Sequence, residues 1–353
     1  IATYQWAKKN LGYTDRRQMS QIPFEKVLPY YPQNRGFDEF FKGEYSPYWI
    51  NYGLDGENRT VAGEWLDVPG FRLDIQTNAA LAFIRRNSAK PFFLYLAYFA
   101  PHIPLESTEK YLSRFPGDMP ERRRYALSMI AAIDDGIGEI RKLLVKLGID
   151  RDTLILFASD NGAPLGIDME DIPVPSLDAV WDGSLNTPWI GEKGMVMEGG
   201  IRVPFIVTWQ DKIPAGTVFN DPVSSLDFMP TILAAVGAKL PDNLDGIDLM
   251  PYLTGKAEKP SDRDLYWRFW EQAAIRRGYW KYIHLTDGIE MLYDLENTNH
   301  EKVNLITQYP EKAQELRSAL EKWAQGLKPA GLRKGGLNRK EKEWYQHYLN
   351  LED

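Results

Sequence analysis

Residues 154–162 have the sequence Leu-Ile-Leu-Phe-Ala-Ser-Asp-Asn-Gly, an apolar run that ends in an acid, an amide and a glycine. A short apolar run bounded by a turn predicts a buried strand, and open α/β sheets bind ligands beyond the carboxyl ends of their strands. Asp160 and Asn161 offer hard oxygen ligands of the kind that calcium or magnesium accepts, and Gly162 lets the backbone turn after them. An Asx turn that only ends the strand explains the same three residues.

The segments on either side of this strand alternate between helix and strand patterns. The predicted order is helix 70–90, strand 92–99, helix 120–148, the strand that ends at Asp160, strand 203–209 and helix 228–236. Residues 92–99 are apolar on both faces, which is typical of a strand covered by helices on each side. The alternation predicts an α/β fold with a large mixed, mostly parallel sheet that has helices on both faces.

After about Gly255 the pattern changes to short segments separated by turns. Antiparallel strands are predicted at 265–270, 273–277, 280–285 and 291–295, and a helix at 310–327. We therefore expect a main α/β domain at 1–255 and a C-terminal subdomain at 256–353 with a four-stranded antiparallel sheet and a helix. The tail from Lys328 onward shows no clear period.

Composition narrows the functional classes. The 353 residues carry a formal net charge of -7 without a long basic block, so there is no electrostatic footprint for nucleic acid or an anionic membrane. The sequence has no cysteine, and hence no disulfide, thiolate zinc site or cysteine nucleophile. No apolar run is long enough to cross a bilayer. The sequence opens at Ile1 rather than Met, so a signal peptide cannot be judged from it.

A histidine and a lysine are further candidates for chemistry. His102 stands in Pro-His-Ile-Pro directly after the predicted strand 92–99, where it can donate to an anionic substrate, protonate a leaving group or merely cap a turn. Lys193 lies in the glycine-framed segment 191–205, where its ammonium can act on a tetrahedral oxyanion or be an ordinary solvated loop group. In the same segment, Glu198 and Arg202 are expected to form a structural pair that holds the loop.

In this order the motifs resemble those of the sulfatase family of the alkaline-phosphatase-like superfamily. The resemblance is carried by 35–41 (RGFDEFF), 91–94 (PFFL), 101–104 (PHIP), 158–162 (ASDNG), 191–205, 225–231 (SLDFMPT), 244–249 (LDGIDL), 280–282 (WKY) and 292–295 (LYDL). Each segment alone is a weak signal, but their shared order is specific. The resemblance implies that the chain corresponds to the C-terminal three-quarters of such a protein.

The resemblance implies an alkaline-phosphatase-like α/β sandwich with a small C-terminal subdomain that carries a four-stranded antiparallel sheet. Enzymes of that family cleave sulfate esters with a divalent cation, usually calcium, with magnesium as the alternative, and with a formylglycine made from Cys or Ser. By motif, Asp160 and Asn161 resemble the metal ligands, Lys193 the lysine that bridges sulfate and leaving-group oxygens, and His102 the substrate-contacting histidine. The implied partner is a small-molecule or oligosaccharide sulfate ester, and periplasmic, secreted or lysosomal export is a family expectation.

Two family motifs are absent from the sequence. No strand with two acidic metal ligands precedes a C/S-x-P/A-x-R motif, whose first residue becomes formylglycine, and residues 19–24 stand where the family has G-K-W-H-L-G. One hypothesis is that a segment upstream of Ile1 carries the nucleophile, and the other is that the N-terminal part has degenerated or rearranged. Calcium takes about six to eight oxygen ligands, so the two in this chain favour the first hypothesis.

Three functions therefore stay open. The first is a sulfuric ester hydrolase that acts on a sulfated sugar or an aryl sulfate, with its formylglycine upstream of Ile1. The second is a phosphomonoester or phosphonate hydrolase of the same superfamily, and the third is a non-catalytic, sulfatase-like carbohydrate-binding protein. Residues 163–186 are the candidate segment for substrate selection, because loops around the pocket separate substrates in the family.

Overall fold

A computed structural model describes residues 23–174, 176, 179–258, 260, 263–296, 300–328 and 337–349. The chain divides into two compact units, one made of Ile1–Asp118 and Arg124–Leu147 and the other of Met119–Arg123 and Gly148–Asp353. The domain boundary expected between residues 255 and 256 stays a prediction. Of the segment 19–24, residues 19–22 lie outside the described residues.

The described ranges contain nine α-helices, numbered in chain order. They are α1 Phe24–Val27, α2 Arg72–Asn87, α3 Glu109–Leu112, α4 Glu121–Leu147, α5 Glu198–Ile201, α6 Phe228–Ala235, α7 Met250–Leu253, α8 Pro310–Gln325 and α9 Arg339–Leu349. The helices predicted at 70–90, 120–148, 228–236 and 310–327 are confirmed as α2, α4, α6 and α8. Helix α9 was missed because its apolar residues, Trp344, Tyr345, Tyr348 and Leu349, stand at helical spacing over only six positions of an otherwise polar tail. None of these helices is both long and apolar enough to cross a lipid bilayer.

The first unit contains a small antiparallel sheet that the sequence did not predict. Its strands are β1 Phe41–Lys42, β2 Tyr48–Ile50 and β3 Glu64–Leu66, with β2 in the centre. Trp49 pairs in register with Trp65, and their ring centroids are 5.2 Å apart. Tyr48 and Ile50 form a buried cluster with Ile75 of α2. The sheet therefore packs on α2 through the central strand.

The second unit contains the strand that precedes Asp160. It is β4 Ile155–Ala158, and it pairs antiparallel with β5 Phe205–Thr208. The mixed α/β class is confirmed, but every strand pair within the described ranges is antiparallel, so the expected mostly parallel sheet is not seen there. Apolar alternation indicates which faces of a strand are buried and leaves its pairing partners open.

Residues 92–99 do not form the predicted strand. The segment belongs to no sheet of the described residues, and exposed side chains alternate with half-buried ones along it, with Phe93 57% and Tyr95 71% exposed. A strand needs neighbours that satisfy its backbone hydrogen bonds, and an apolar run in the sequence does not supply them. The prediction of a strand here is therefore wrong, although the segment does lead into the loop of His102.

The C-terminal part of the second unit forms the predicted four-stranded antiparallel sheet. In sheet order its strands are β6 Asp264–Phe269, β7 Gln272–Arg277, β8 Trp280–Leu285 and β9 Glu290–Asp294. Tyr282 packs in one buried cluster with Leu316 of α8. Its neighbour Ile283 packs in another with Trp344 of α9. Because adjacent residues of a strand face opposite ways, α8 and α9 cover opposite faces of this sheet.

Candidate functional site

The two residues expected to bind a metal lie in the turn that follows β4. The N–H of Ser159 donates to the Pro204 carbonyl at 3.2 Å, which continues the pairing of β4 with β5. Nδ2 of Asn161 donates to the Gly162 carbonyl at 3.0 Å. This bond orients the amide and leaves its acceptor, Oδ1, without a partner among the described residues.

Gly162 is held against the glycine pair at the start of α5. Its N–H donates to the Gly200 carbonyl at 3.0 Å. A Cβ at residue 162 would lie 1.8 Å from the Gly199 carbonyl oxygen, and a Cβ at Gly199 or Gly200 would lie 2.2 Å from a loop carbonyl. Backbone packs directly on backbone here, so these positions require glycine. The turn after Asp160 is thereby fixed to the segment 191–205.

Lys193 is bound by its backbone to the residue that follows this turn. Its N–H donates to the Ala163 carbonyl at 3.0 Å. The side chain of Asn186 bridges the same segments: Oδ1 accepts from the Ala163 N–H at 2.7 Å, and Nδ2 donates to the carbonyls of Ala163 and Gly191, both at 3.0 Å. The structure thus brings the turn after β4 together with the lysine loop. The Lys193 side chain is half-buried and has no ion pair within the described residues.

Glu192, the neighbour of Lys193, is fully buried and binds the loop to the segment 163–186. Its carboxylate accepts from the N–H groups of Gly166 at 2.9 Å and Ile167 at 3.2 Å, and the Tyr348 hydroxyl donates to it at 3.3 Å. Burial, followed by the charge of Glu192, raises the pKa of Tyr348. Donors surround this carboxylate, so its role is to hold the loop in place.

Asp171, an acid of the segment 163–186, caps the start of α4. Its carboxylate accepts from the N–H groups of Glu121 at 2.8 Å and Arg122 at 3.0 Å. Arg122 in turn donates from Nε to the Trp181 carbonyl at 2.6 Å and from Nη1 to the Ile172 carbonyl at 2.9 Å. A carboxylate is favourable at a helix N-terminus, so this acid stabilises the segment structurally. Asp178 of the same segment lies outside the described residues.

The other side of the lysine loop is bound to the C-terminal sheet. Oε1 of Gln272 accepts from the Val196 N–H at 3.0 Å, and its Nε2 donates to the Gly194 carbonyl at 2.9 Å. The Tyr345 hydroxyl of α9 donates to the same Oε1 at 2.6 Å. Gly194 has a φ of +99°, and a Cβ there would lie 2.6 Å from the ring of Trp344. Helix α9 and strand β7 therefore support the loop directly.

Glu198 and Arg202 form the expected structural pair, with Nη1 and Oε2 3.4 Å apart. Glu198 is 2% exposed and has further cations around it, among them Lys281 of β8 and Arg276 of β7, whose Nη1 lies 3.7 Å from Oε2. The Arg202 guanidinium also lies over the ring of Trp189, 3.9 Å from its centroid. The pair thus belongs to a larger charged cluster that joins the loop to the sheet.

Asp160 and Asn161 fit a hard cation as part of its coordination shell. The Asp160 carboxylate is exposed and has neither a hydrogen bond nor an ion pair in the described ranges. In those ranges no three His, Asp or Glu side chains converge on one point. Since calcium takes about six to eight oxygens, these two residues supply only some of the ligands that such an ion needs.

His102 lies in the first unit, in the loop between residue 99 and α3. Its Nδ1 is 2.7 Å from the Ile103 carbonyl oxygen, and its ring centroid is 4.7 Å from that of Phe99. Because Nδ1 faces a carbonyl oxygen, we assign the proton of the neutral ring to Nδ1, which leaves Nε2 unprotonated. Asp160, Asn161 and Lys193 belong to the second unit and are described within it.

Three polar residues hold the lysine loop, a role that the sequence did not assign to them: Asn186, Gln272 and Lys281, the last within the motif at 280–282. Gln272 and Lys281 are buried on strands of an apolar sheet, and Asn186 lies in a loop without a motif. A buried polar side chain needs partners, so a lysine or glutamine inside an apolar strand is the only available signal. That signal marks such a residue as important but does not identify its partner.

Two family models match the chain. The Sulfatase model matches residues 1–238. The model described as N-sulphoglucosamine sulphohydrolase, C-terminal, matches residues 189–328.

Among curated proteins, the chain is 32% identical over 244 residues to the uncharacterized sulfatase YdeN of Escherichia coli (strain K12), which covers 67% of this chain and 40% of that protein. It is 32% identical over 261 residues to N-acetylgalactosamine-6-sulfatase of Rattus norvegicus, a match that covers 69% of this chain and 46% of that protein. It is 36% identical over 196 residues to steryl-sulfatase of Homo sapiens, a match that covers 54% of this chain and 31% of that protein. The chain thus spans less than half the length of these three relatives.

Solved structures agree with the fold. The structure of Ps i-CgsB in complex with k-i-k-neocarrahexaose has a TM-score of 0.72 and 29% identity, covering 90% of this chain and 72% of that one. BT4656 in complex with D-glucosamine-2-N,6-O-disulfate shares the fold, with a TM-score of 0.61 at 18% identity over 81% and 75% of the two chains. The phosphonate monoester hydrolase of Agrobacterium radiobacter also shares the fold. Its TM-score is 0.54 at 23% sequence identity, and the match covers 74% of this chain and 63% of that one. These similarities confirm the alkaline-phosphatase-like fold class.

Proposed function

We propose that the protein is a sulfuric ester hydrolase, because the chain belongs to the sulfatase family. It cleaves the sulfate ester of a sugar or an aryl compound. Relatives named N-acetylgalactosamine-6-sulfatase and steryl-sulfatase support a sulfate ester as the substrate. The similar structure that contains k-i-k-neocarrahexaose supports an oligosaccharide as its carrier.

One observation carries the proposal: the turn that holds Asp160 and Asn161 is joined to the loop of Lys193 by backbone hydrogen bonds. The Lys193 N–H donates to the Ala163 carbonyl, and the Gly162 N–H donates to a carbonyl of the same loop, both at 3.0 Å. Two oxygen ligands and a lysine without an ion pair in the described residues are therefore held on adjoining segments. A lysine ammonium beside side chains that can bind a cation supplies the positive charge that stabilises a tetrahedral anion such as sulfate.

Lys193 contacts the substrate in this proposal, and His102, in the first unit, is proposed as a substrate-contacting residue from its motif alone. The Lys193 ammonium, a compact charge with three donors, stabilises negative charge on the sulfate and on the leaving-group oxygen. His102 presents Nε2, because its Nδ1 is held by the Ile103 carbonyl at 2.7 Å. The protonated ring can donate from Nε2 to the ester or its leaving group.

Asp160 and Asn161 would hold calcium, or magnesium in its place, through their side-chain oxygens. When bound, such an ion neutralises the charge of the sulfate and orients the ester. The contribution of the chain is to hold the two oxygens in place. The Gly162 carbonyl orients the Asn161 amide, and the bond from Gly162 to Gly200 fixes the turn.

The proposal includes a formylglycine as the nucleophile of the complete protein. Residues 1–353 contain no cysteine and no S-x-P/A-x-R motif from which it could be made. The nucleophile is therefore proposed from family membership, and the residues named above bind, orient and stabilise the ester.

The test is hydrolysis by the full-length protein, purified in calcium. An aryl sulfate and N-acetylgalactosamine 6-sulfate are the sulfate esters, with released sulfate measured by ion chromatography. An aryl phosphate and an aryl phosphonate monoester with the same leaving group are the matched controls. We expect the highest kcat/KM for a sulfate ester. Preference for a phosphorus ester, or binding of the sulfated sugar without any turnover, would contradict the proposal.

A further inference from the structure

Arg72, the first residue of α2, is a buried cation outside the proposed machinery. It is only 2% exposed. A buried charge is costly unless it is paired and hydrogen-bonded. A cation in the first turn also opposes the helix dipole, which already places positive charge there. The reason for an arginine at this position therefore lies outside α2.

The guanidinium contacts the loop that carries His102. Nη2 donates to the Pro104 carbonyl at 2.8 Å and lies 3.4 Å from the His102 carbonyl oxygen. Nε is 3.1 Å from a carboxylate oxygen of Glu106, and Nη1 is 3.5 Å from one of Glu44. Three of these four partners belong to the loop. The hydrogen bonds of Arg72 thus run from Nη2 to the segment around the histidine, while Nε and Nη1 only lie near the two carboxylates and make no hydrogen bond among the described residues.

Aromatic contacts extend this connection to the imidazole itself. The ring of Phe99 lies 5.7 Å from Cζ of Arg72 and 4.7 Å from the ring of His102. The ring of Tyr45 lies 4.7 Å from the same Cζ. The carbonyl that accepts from Nδ1 of the histidine belongs to Ile103, between the two carbonyls that Arg72 contacts. Arg72 therefore holds the peptide groups on both sides of that acceptor.

We propose that Arg72 is a positioning residue for His102. By holding the carbonyls of residues 102 and 104, it fixes the Ile103 carbonyl and, through it, the Nδ1–H tautomer and orientation of the imidazole. This inference rests on the proposed function, in which Nε2 of His102 contacts the sulfate ester. Arginine suits this role because Nη2 donates to the two carbonyls while Nε and Nη1 lie near Glu106 and Glu44 and the guanidinium lies near two aromatic rings. A point-like ammonium cannot make all three kinds of contact at once.

The test is NMR of the protein with nitrogen-15-labelled histidine, which reports the tautomer of each ring. The chain has four histidines, so each signal can be assigned by substitution. We expect His102 of the wild type to be the Nδ1–H tautomer at a pH where the ring is neutral. In Arg72→Lys and Arg72→Met we expect a shift toward the Nε2–H tautomer, with His284, His300 and His347 unchanged.

Arg86→Lys is the matched control. Arg86 is a partly buried arginine of the same helix, and it pairs with Glu39 rather than with the histidine loop. Its substitution should leave the His102 tautomer unchanged. Arg72→Lys keeps a positive charge near Glu44 and Glu106, so it tests the proposal even where Arg72→Met does not fold. A wild-type His102 in the Nε2–H form, or a folded Arg72→Lys with an unaltered His102, would overturn the proposal.

Hydrolysis of a sulfate ester gives a second readout. We expect kcat/KM of Arg72→Lys to fall about 100-fold, the cost of displacing a reacting group by about 1 Å, and Arg86→Lys to stay near wild type. A tautomer shift in a protein without sulfatase activity would refute the proposed function and leave the positioning role intact. Lost activity with an unshifted tautomer would refute the positioning role and leave the proposed function intact.

Discussion

The ammonium of Lys281 lies 2.9 Å from Oε1 of Glu198, and both side chains are buried. Oε1 of Glu301 lies 2.8 Å from the same nitrogen, and its Oε2 accepts from the Glu198 N–H at 2.7 Å. Burial alone raises the pKa of Glu198, but Lys281 and two nearby arginines outweigh it and hold the pKa below its usual value. Burial lowers the pKa of Lys281, and the two carboxylates outweigh it. This cluster ties the loop that follows Lys193 to β8.

Lys281→Met is expected to destabilise the protein strongly at pH 7. It leaves two carboxylates buried without their shared cation, and removing one partner of a buried ion pair costs about 3–5 kcal/mol. Urea denaturation monitored by tryptophan fluorescence measures the loss of unfolding free energy. Lys142→Met is the control, because the Lys142 side chain is 76% exposed in its pair with Glu139 and such pairs contribute about 0–1 kcal/mol. Equal losses in the two variants would contradict the role of the cluster.

Asp264→Asn is expected to cost stability at neutral pH and to cost less in acid. Arg277 donates to both oxygens of Asp264 at 2.6 Å, between strands β6 and β7, and holds the pKa of Asp264 below its usual 3.8. A lowered pKa in the folded state means that the stabilisation is present above pH 3.8 and is lost as the pH falls through the lowered value. Urea denaturation of the wild type and of Asp264→Asn at pH 7 and pH 3 measures the difference in their unfolding free energies. A difference that is larger at pH 3 than at pH 7 would contradict the stabilising role of this ion pair.

Gly162→Ala is expected to disrupt the joint between the turn after β4 and α5. The new Cβ would lie 1.8 Å from the Gly199 carbonyl oxygen, and neither backbone segment can move without breaking the hydrogen bond between Gly162 and Gly200. We expect a loss of about 3 kcal/mol or more in unfolding free energy.

Gly138→Ala is the matched control for this substitution. Gly138 lies inside α4 with no atom within 4 Å of the added Cβ, so alanine should stabilise the protein by about 0.5–1 kcal/mol. Thermal unfolding of the two variants should shift in opposite directions. A neutral Gly162→Ala would show that the close approach of the two segments is not required.

Asp160→Ala is expected to weaken calcium binding by the full-length protein. Its carboxylate has no competing partner in the described residues. Loss of a group that only supports a ligand typically costs about 10- to 100-fold in affinity, so loss of a ligand is expected to cost at least about 10-fold. Isothermal titration calorimetry measures the change. Asp242→Ala, at an exposed position, is the control and should bind calcium like the wild type. Equal affinities in all three proteins would exclude Asp160 as a ligand.

Helices α2, α4, α6 and α8 and the C-terminal sheet could be predicted because their signals are local. The apolar stripe of α4 and the short strand segments with turns between them in β6 to β9 are present in the local sequence. The strands of the first unit are only two or three residues long, too short to show a period. The pairing of β4 with β5 depends on contacts between distant residues, which no short window contains. The failed strand at 92–99 has the same cause, since its apolar run indicates burial but not a neighbour.

The candidate site divides in the same way. Asp160, Asn161, His102 and Lys193 could be found because they stand in short motifs whose order along the chain is specific. Gln272 could not, because it lies 76 positions from the residue whose N–H it accepts. Arg72 gave no signal either, since an arginine at the start of a helix pattern is ordinary until its burial is known.

The claim that the turn of Asp160 and the loop of Lys193 form the active site is tested most directly by the kcat of Lys193→Ala. The measurement is turnover of an aryl sulfate by the full-length protein, beside Lys146→Ala, which removes an exposed lysine of α4. We expect kcat to fall about 100- to 1000-fold in Lys193→Ala, the cost of removing one group that stabilises an oxyanion, and to stay unchanged in Lys146→Ala. A folded Lys193→Ala with the wild-type kcat would contradict the claim.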